Sequence, residues 1–145
     1  MGLFDAFKKK QKVEFTCNED AIITLMVAIG SLDGDLDQNE IQALIGIAQI
    51  NSSLGNAPLR SSFELAVKYL KVNGAGQSAV DAFTYLPEEL HATALSFACL
   101  VTLADGIVTE EEDAKLMELA QVSSLGEEDS KAIINISMAL MKPLN

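Results

Sequence analysis

Apolar positions run almost unbroken through two stretches of the chain: Leu25, Met26, Val27 and Ile29 early on, and an uncharged run from Leu90 to Ala104 later. A helix with no polar face is one buried on most sides. Each run is followed by a short acidic turn containing glycine, and then by an amphipathic segment. Ile41, Leu44, Ile45 and Ala48 follow the first turn, and Leu116, Leu119 and Ala120 the second, at helical spacing. Pro58 suits a first helical position ahead of Phe63, Leu65, Ala66, Tyr69 and Leu70. Asn73–Ser78, N-G-A-G-Q-S, reads as the clearest loop. A short helix through Val80, Phe83 and Leu86 follows, and Pro87 with Glu88 and Glu89 opens the second apolar helix. The last helix starts near Gly126, carries Ile133, Ile134, Ile136, Met138 and Leu140, and ends before Pro143. No alternating β-branched run with hairpin turns occurs. The pattern predicts an all-α, compact bundle of about seven or eight helices with the two apolar helices central.

The two turn regions are related. Asp33, Gly34, Glu40, Leu44, Ala48, Gln49 and Ser52 match Asp105, Gly106, Glu112, Leu116, Ala120, Gln121 and Ser124 at a constant offset. This is an internal repeat of helix, tight turn and helix, and it predicts two pseudo-symmetric halves. Gly34 and Gly106 stand where a residue with positive φ ends a helix. Asp37 with Glu40, and Thr109 with Glu112, have capping-box spacing for the helix that follows.

Charge divides the chain. Residues 1–12 carry four lysines and one aspartate, whereas the remainder holds six bases and twenty acids, for a formal net charge of −11 over 145 residues. Leu3, Phe4 and Phe7 share one helical face, with Lys8, Lys9, Lys10 and Lys12 directly after them. Residues 1–12 thus read as a basic amphipathic arm, and 13–145 as the helical domain. The arm either touches an anionic membrane surface, each Lys contributing about 1 kcal/mol there, or docks its two Phe side chains on the domain. The acidic surface opposes nucleic-acid binding, which depends on Lys and Arg contacts to phosphate. Despite a mean hydropathy of +0.23, the longest uncharged run falls short of the roughly 20 apolar residues a membrane span needs. Cys17 and Cys99 lack any C-x-x-C spacing and read as small core residues in a reduced compartment. His91, the single histidine, reads as a satisfied interior residue or a helix-surface partner of Glu88.

The chemistry concentrates in D-G-D-L-D-Q-N-E (Asp33–Glu40) and D-G-I-V-T-E-E-E (Asp105–Glu112). The first opens like an EF-hand loop, but that loop needs Gly at its sixth position and Glu at its twelfth, where Gln38 and Leu44 stand. Caps explain Asp37, Thr109, Glu40 and Glu112. Asp33 and Asp105 are expected in the last turn of a helix, against the macrodipole, and call for compensation. If the repeat brings both turns together, Asp33, Asp37, Glu40, Asp105 and Glu112 are the candidate metal ligands. Their oxygen donors suit Ca²⁺ or Mg²⁺ better than Zn²⁺. No nucleophile, phosphate-cradling glycine loop or His–Asp pair accompanies the carboxylates, so the expected protein is not an enzyme.

The repeated turns L-D-G-D-L-D-Q-N-E (Leu32–Glu40) and A-D-G-I-V-T-E-E-E (Ala104–Glu112), with the opening M-G-L-F-D-A-F-K-K-K, resemble the TerB tellurite-resistance family over nearly the whole chain. The resemblance implies a cytoplasmic bacterial helical bundle linked to tellurite and other stresses, in peripheral contact with the inner membrane surface. It also implies metal binding and partnership with other tellurite-resistance proteins, including a membrane component. Asp33, Glu40, Asp105 and Glu112 fall on the family's acidic positions, and nothing in the resemblance implies tellurite reduction. The alternative expectation is a helical protein–protein interaction module that binds no metal.

Overall fold

Nine consecutive residues, Ala21 to Ile29, are buried along α1 (Asn18–Gly30), as a helix with apolar groups around its whole circumference requires. In the computed structural model, which describes residues 13–55, 59–104, 108–140 and 142–144, this helix is the centre of the packing. Around it come α2 (Gln38–Ala48), the single turn α3 (Ser52–Gly55), α4 (Leu59–Asn73) and α5 (Ala75–Tyr85). A 3₁₀ turn at Glu88–Leu90 leads into α6 (His91–Leu103), then α7 (Glu110–Val122) and α8 (Glu127–Leu140). The described residues contain these helices and no strand. The arm, residues 1–12, lies outside the described residues, as do Pro58, Asp105 and Gly106.

α1 packs against α4, α5, α6 and α2, and α6 packs against α1, α8, α7 and α2. The paired apolar helices therefore form the core's spine, with Ile23, Leu25, Met26, Ile29, Leu95 and Phe83 fully enclosed. Each such side chain contributes about 1.5–3 kcal/mol by leaving water. α2 and α7 each open with a capping box, while the turn before α7 falls partly outside the described residues. The packing around the two capped helices differs: α2 rests on α1 and α6, whereas α7 rests on α6, α5 and α8.

Four expectations need correction. Helix α1 stops at Gly30, before Gly34, because Leu36 folds back over its end. A Cβ on Gly30 would sit 3.2 Å from Leu36 Cδ2 and 3.6 Å from Val101 Cγ1. Gly34, at φ 148°, instead closes the following turn, its N–H donating to Ser31 O at 3.2 Å. Asn73–Ser78 is not a loop, since one residue, Gly74 at φ 82°, turns the chain sharply from α4 into α5. Pro87 precedes the 3₁₀ turn, with Leu90 N–H donating to Pro87 O at 2.9 Å, and α6 begins only at His91. Cys17 is exposed at the N-cap of α1, while Cys99 is buried as expected.

Candidate functional site

Both capped helices start with the reciprocal geometry that the sequence spacing predicts. At α2, Asp37 Oδ1 accepts the Glu40 N–H at 2.8 Å, and Glu40 Oε2 accepts the Asp37 N–H at 3.1 Å. At α7, Thr109 Oγ1 accepts the Glu112 N–H at 3.1 Å, and Glu112 Oε1 accepts the Thr109 N–H at 3.0 Å. Each box satisfies backbone donors that a helix start leaves open, and places carboxylates at the positive end of the helix dipole. The two glutamates differ in setting: Glu40 is exposed, whereas Glu112 is 5% exposed.

The Leu36 fold-back draws the first turn over the ends of α1 and α6. Asp33, Asp37, Glu40 and Glu112 consequently line one pocket of about 240 Å³. Its floor is apolar, formed by Leu36, Leu44 and Val101, with Gly30 and Ala104 leaving room. Asn39, which the sequence reading passed over, adds an amide to the wall. Its place as the second residue of α2 gives no chemical signal of its own. Asp33 does not stand in a helix's last turn. It follows the end of α1 and is exposed to solvent, so the macrodipole conflict expected for it does not arise.

Four of the five candidate ligands thus share a pocket, and Asp105 lies outside the described residues. Among the described residues, no group of three or more His, Cys, Asp or Glu side chains is arranged to hold a metal ion. The arrangement offers an acidic rim over an apolar floor, which favours cations and cationic side chains.

Outside this pocket, two buried polar clusters were legible only in part. His91 is the satisfied interior histidine foreseen, bonded through both ring nitrogens. Asp20 went unremarked in the sequence. Its Oδ2 accepts from Thr16 Oγ1 at 2.6 Å and from the Thr16 N–H at 3.3 Å, and its Oδ1 accepts from Ser62 Oγ at 2.8 Å. Burial works to raise its pKa, but these hydrogen bonds outweigh burial and hold the carboxyl below its ordinary value. The signal was a Thr and an Asp four residues apart at a helix start, and its third member is far along the chain.

Among the described residues, an all-helical fold with two buried apolar helices and two helices opened by capping boxes is the class these features define. Over residues 19–135 the chain matches the family model described as tellurite resistance protein TerB, and it belongs to that family. Comparison with curated proteins and with solved structures gives no match. No helix among the described residues is long and apolar enough to cross a membrane.

Proposed function

We propose that this TerB-family chain is a non-enzymatic bacterial stress-response protein that takes up a divalent cation, a partner protein, or both at the pocket between its acidic turns. The observation that carries this reading is the meeting of Asp33, Asp37 and Glu40 with Glu112, distant in sequence, around one pocket. Oxygen-only donors favour Ca²⁺ or Mg²⁺ over Zn²⁺. Asp105 is the counterpart of Asp33 in the sequence repeat. Because Asp37, Glu40 and Glu112 already serve as caps, cation binding there is coupled to the starts of α2 and α7. The working setting is the cytoplasm, beside the inner membrane surface, with other tellurite-resistance proteins including a membrane component as partners.

A second reading rests on the apolar floor and on the absence of a ready-made cation cage among the described residues. In it, the pocket receives a lysine or arginine of a partner, the aliphatic stem on Leu36, Leu44 and Val101 and the charged head on the carboxylates. Calorimetric titration with Ca²⁺, Mg²⁺ and Zn²⁺ separates the two. Heat with Ca²⁺ or Mg²⁺ that disappears in the Asp33→Ala, Asp105→Ala double variant supports the cation. No heat with any of the three ions rejects the cation and leaves the partner reading. Heat of equal size in parent and double variant removes these turns as the cation site.

A further inference from the structure

We propose that the outer face of α8 is a self-association surface, on which α8 of a second copy of this chain docks antiparallel. This inference is independent of the cation and partner readings above. α8 turns Ser130 and Ser137, with the half-buried Ile133 and Ile134, toward the core, chiefly against α6. Its outward side carries Ala132, Asn135, Ile136, Ala139 and Leu140, with Ile136 60% and Leu140 73% exposed. No residue from Ala132 to Leu140 is charged, in a chain of net charge −11. A helix that is largely apolar on two sides, with no charge on the outer strip, is suited to being covered on both.

The order of charges along α8 selects the occupant and its direction. Glu127, Glu128 and Asp129 open the helix and Lys142 follows it, while Lys131 is already held by Glu127 at 2.9 Å. Parallel pairing would set acid against acid. Antiparallel pairing about a twofold axis at Ile136 brings Lys142 of one copy beside Asp129 of the other. It also seats Leu140 over the small Ala132 of the second copy and places the two Ile136 side chains together. Such a contact is isologous, closing at two copies, and large-on-small placement lets helices approach. Two molecules of charge −11 repel least where they meet through an uncharged strip. Phe15, near the start of the described residues, packs on helices other than α8. It enters stacked on Tyr69 at 4.6 Å and edge-on to Tyr85 at 5.3 Å, on α4 and α5, whereas α8 packs on α6 and α7.

Sedimentation equilibrium of the full chain over a range of concentrations tests the proposal. The expected result is a monomer–dimer equilibrium, weakened roughly tenfold or more by Ile136→Asp, since a buried charge without a partner is strongly disfavoured. Circular dichroism of that variant stays that of the parent, because Ile136 makes little contact within the monomer. Lys142→Glu weakens the dimer, and adding Asp129→Lys restores it. Ile136→Cys in a Cys17→Ser background forms a disulfide-linked dimer on mild oxidation. A parent that is monomeric at every concentration overturns the proposal, as does a dimer indifferent to Ile136→Asp. A monomer that dimerises only when residues 1–12 are deleted also overturns it, and assigns the face to the arm instead.

Discussion

His91 Nδ1 accepts the backbone N–H of Ser124 at 2.9 Å, tying the start of α6 to the turn between α7 and α8. A backbone N–H can only donate, so Nδ1 carries no proton. The proton sits on Nε2 and is donated to Leu86 O at 3.2 Å. The ring also lies 4.7 Å from Phe83. A single side chain thus joins the end of α5, the start of α6 and the turn that follows α7.

Replacing His91 by Phe keeps the apolar contact and strands both backbone groups. The expected loss is about 1–3 kcal/mol of stability, the cost of leaving buried polar groups unpaired, measured as a lower urea midpoint. Nitrogen chemical shifts of the parent should show the Nε2–H tautomer; an Nδ1–H tautomer would refute the assignment.

Asp20 makes stability depend on acidity in a defined direction. Its folded pKa lies below the ordinary value of 3.8, so the unfolded chain takes up a proton first as pH falls. The contribution is complete above 3.8 and fades as pH drops through the lower folded value. Asp20→Asn is therefore expected to be less stable than the parent near neutrality, with the gap narrowing in acid. Urea titrations of both proteins across that range provide the check, and a gap that widens in acid would contradict it.

Two glycines should respond oppositely to alanine. Gly74→Ala forces a side chain into φ 82° and is expected to cost roughly 1–2 kcal/mol. Gly46 lies inside α2 with nothing within 4 Å of a built Cβ, so Gly46→Ala should gain about 0.5–1 kcal/mol. Thermal melts of the two variants give both signs.

The cysteines differ in reach. Burial pushes the Cys99 thiol up to about 11, with Ser137 bonding to it, while Cys17 is exposed. Cys17 also has a raised pKa, because loss of hydration outweighs the opposing hydrogen bond from the Asp20 backbone. A thiol reagent at neutral pH should label Cys17 slowly and Cys99 only after denaturant is added. Labelling of Cys99 in the folded protein at a rate equal to that of Cys17 would disprove its enclosure.

The helix pattern and both capping boxes were readable because their determinants lie within a few residues of one another. Asp37 to Glu40 and Thr109 to Glu112 are three-residue spacings, and the structure reproduces both. The misread segments have determinants elsewhere in the chain. Gly30 ends α1 because Leu36 and Val101 close on it. Asn73–Ser78 reads as a loop by composition, yet α5 claims all but two of its residues through packing on α1. Cys17 reads as a small core residue by its type and lack of motif spacing but stands at an exposed helix start.

The amino-acid order alone determined an all-helical chain with two buried helices, two capped acidic turns and a place in the TerB family, since periodicity, caps and motif spacing are local properties. Tertiary packing decided that Asp33, Asp37, Glu40 and Glu112 meet around one pocket, and that Ile136 and Leu140 on α8 face outward. Which residues converge depends on how helices cross, and that is set by contacts between side chains far apart along the chain.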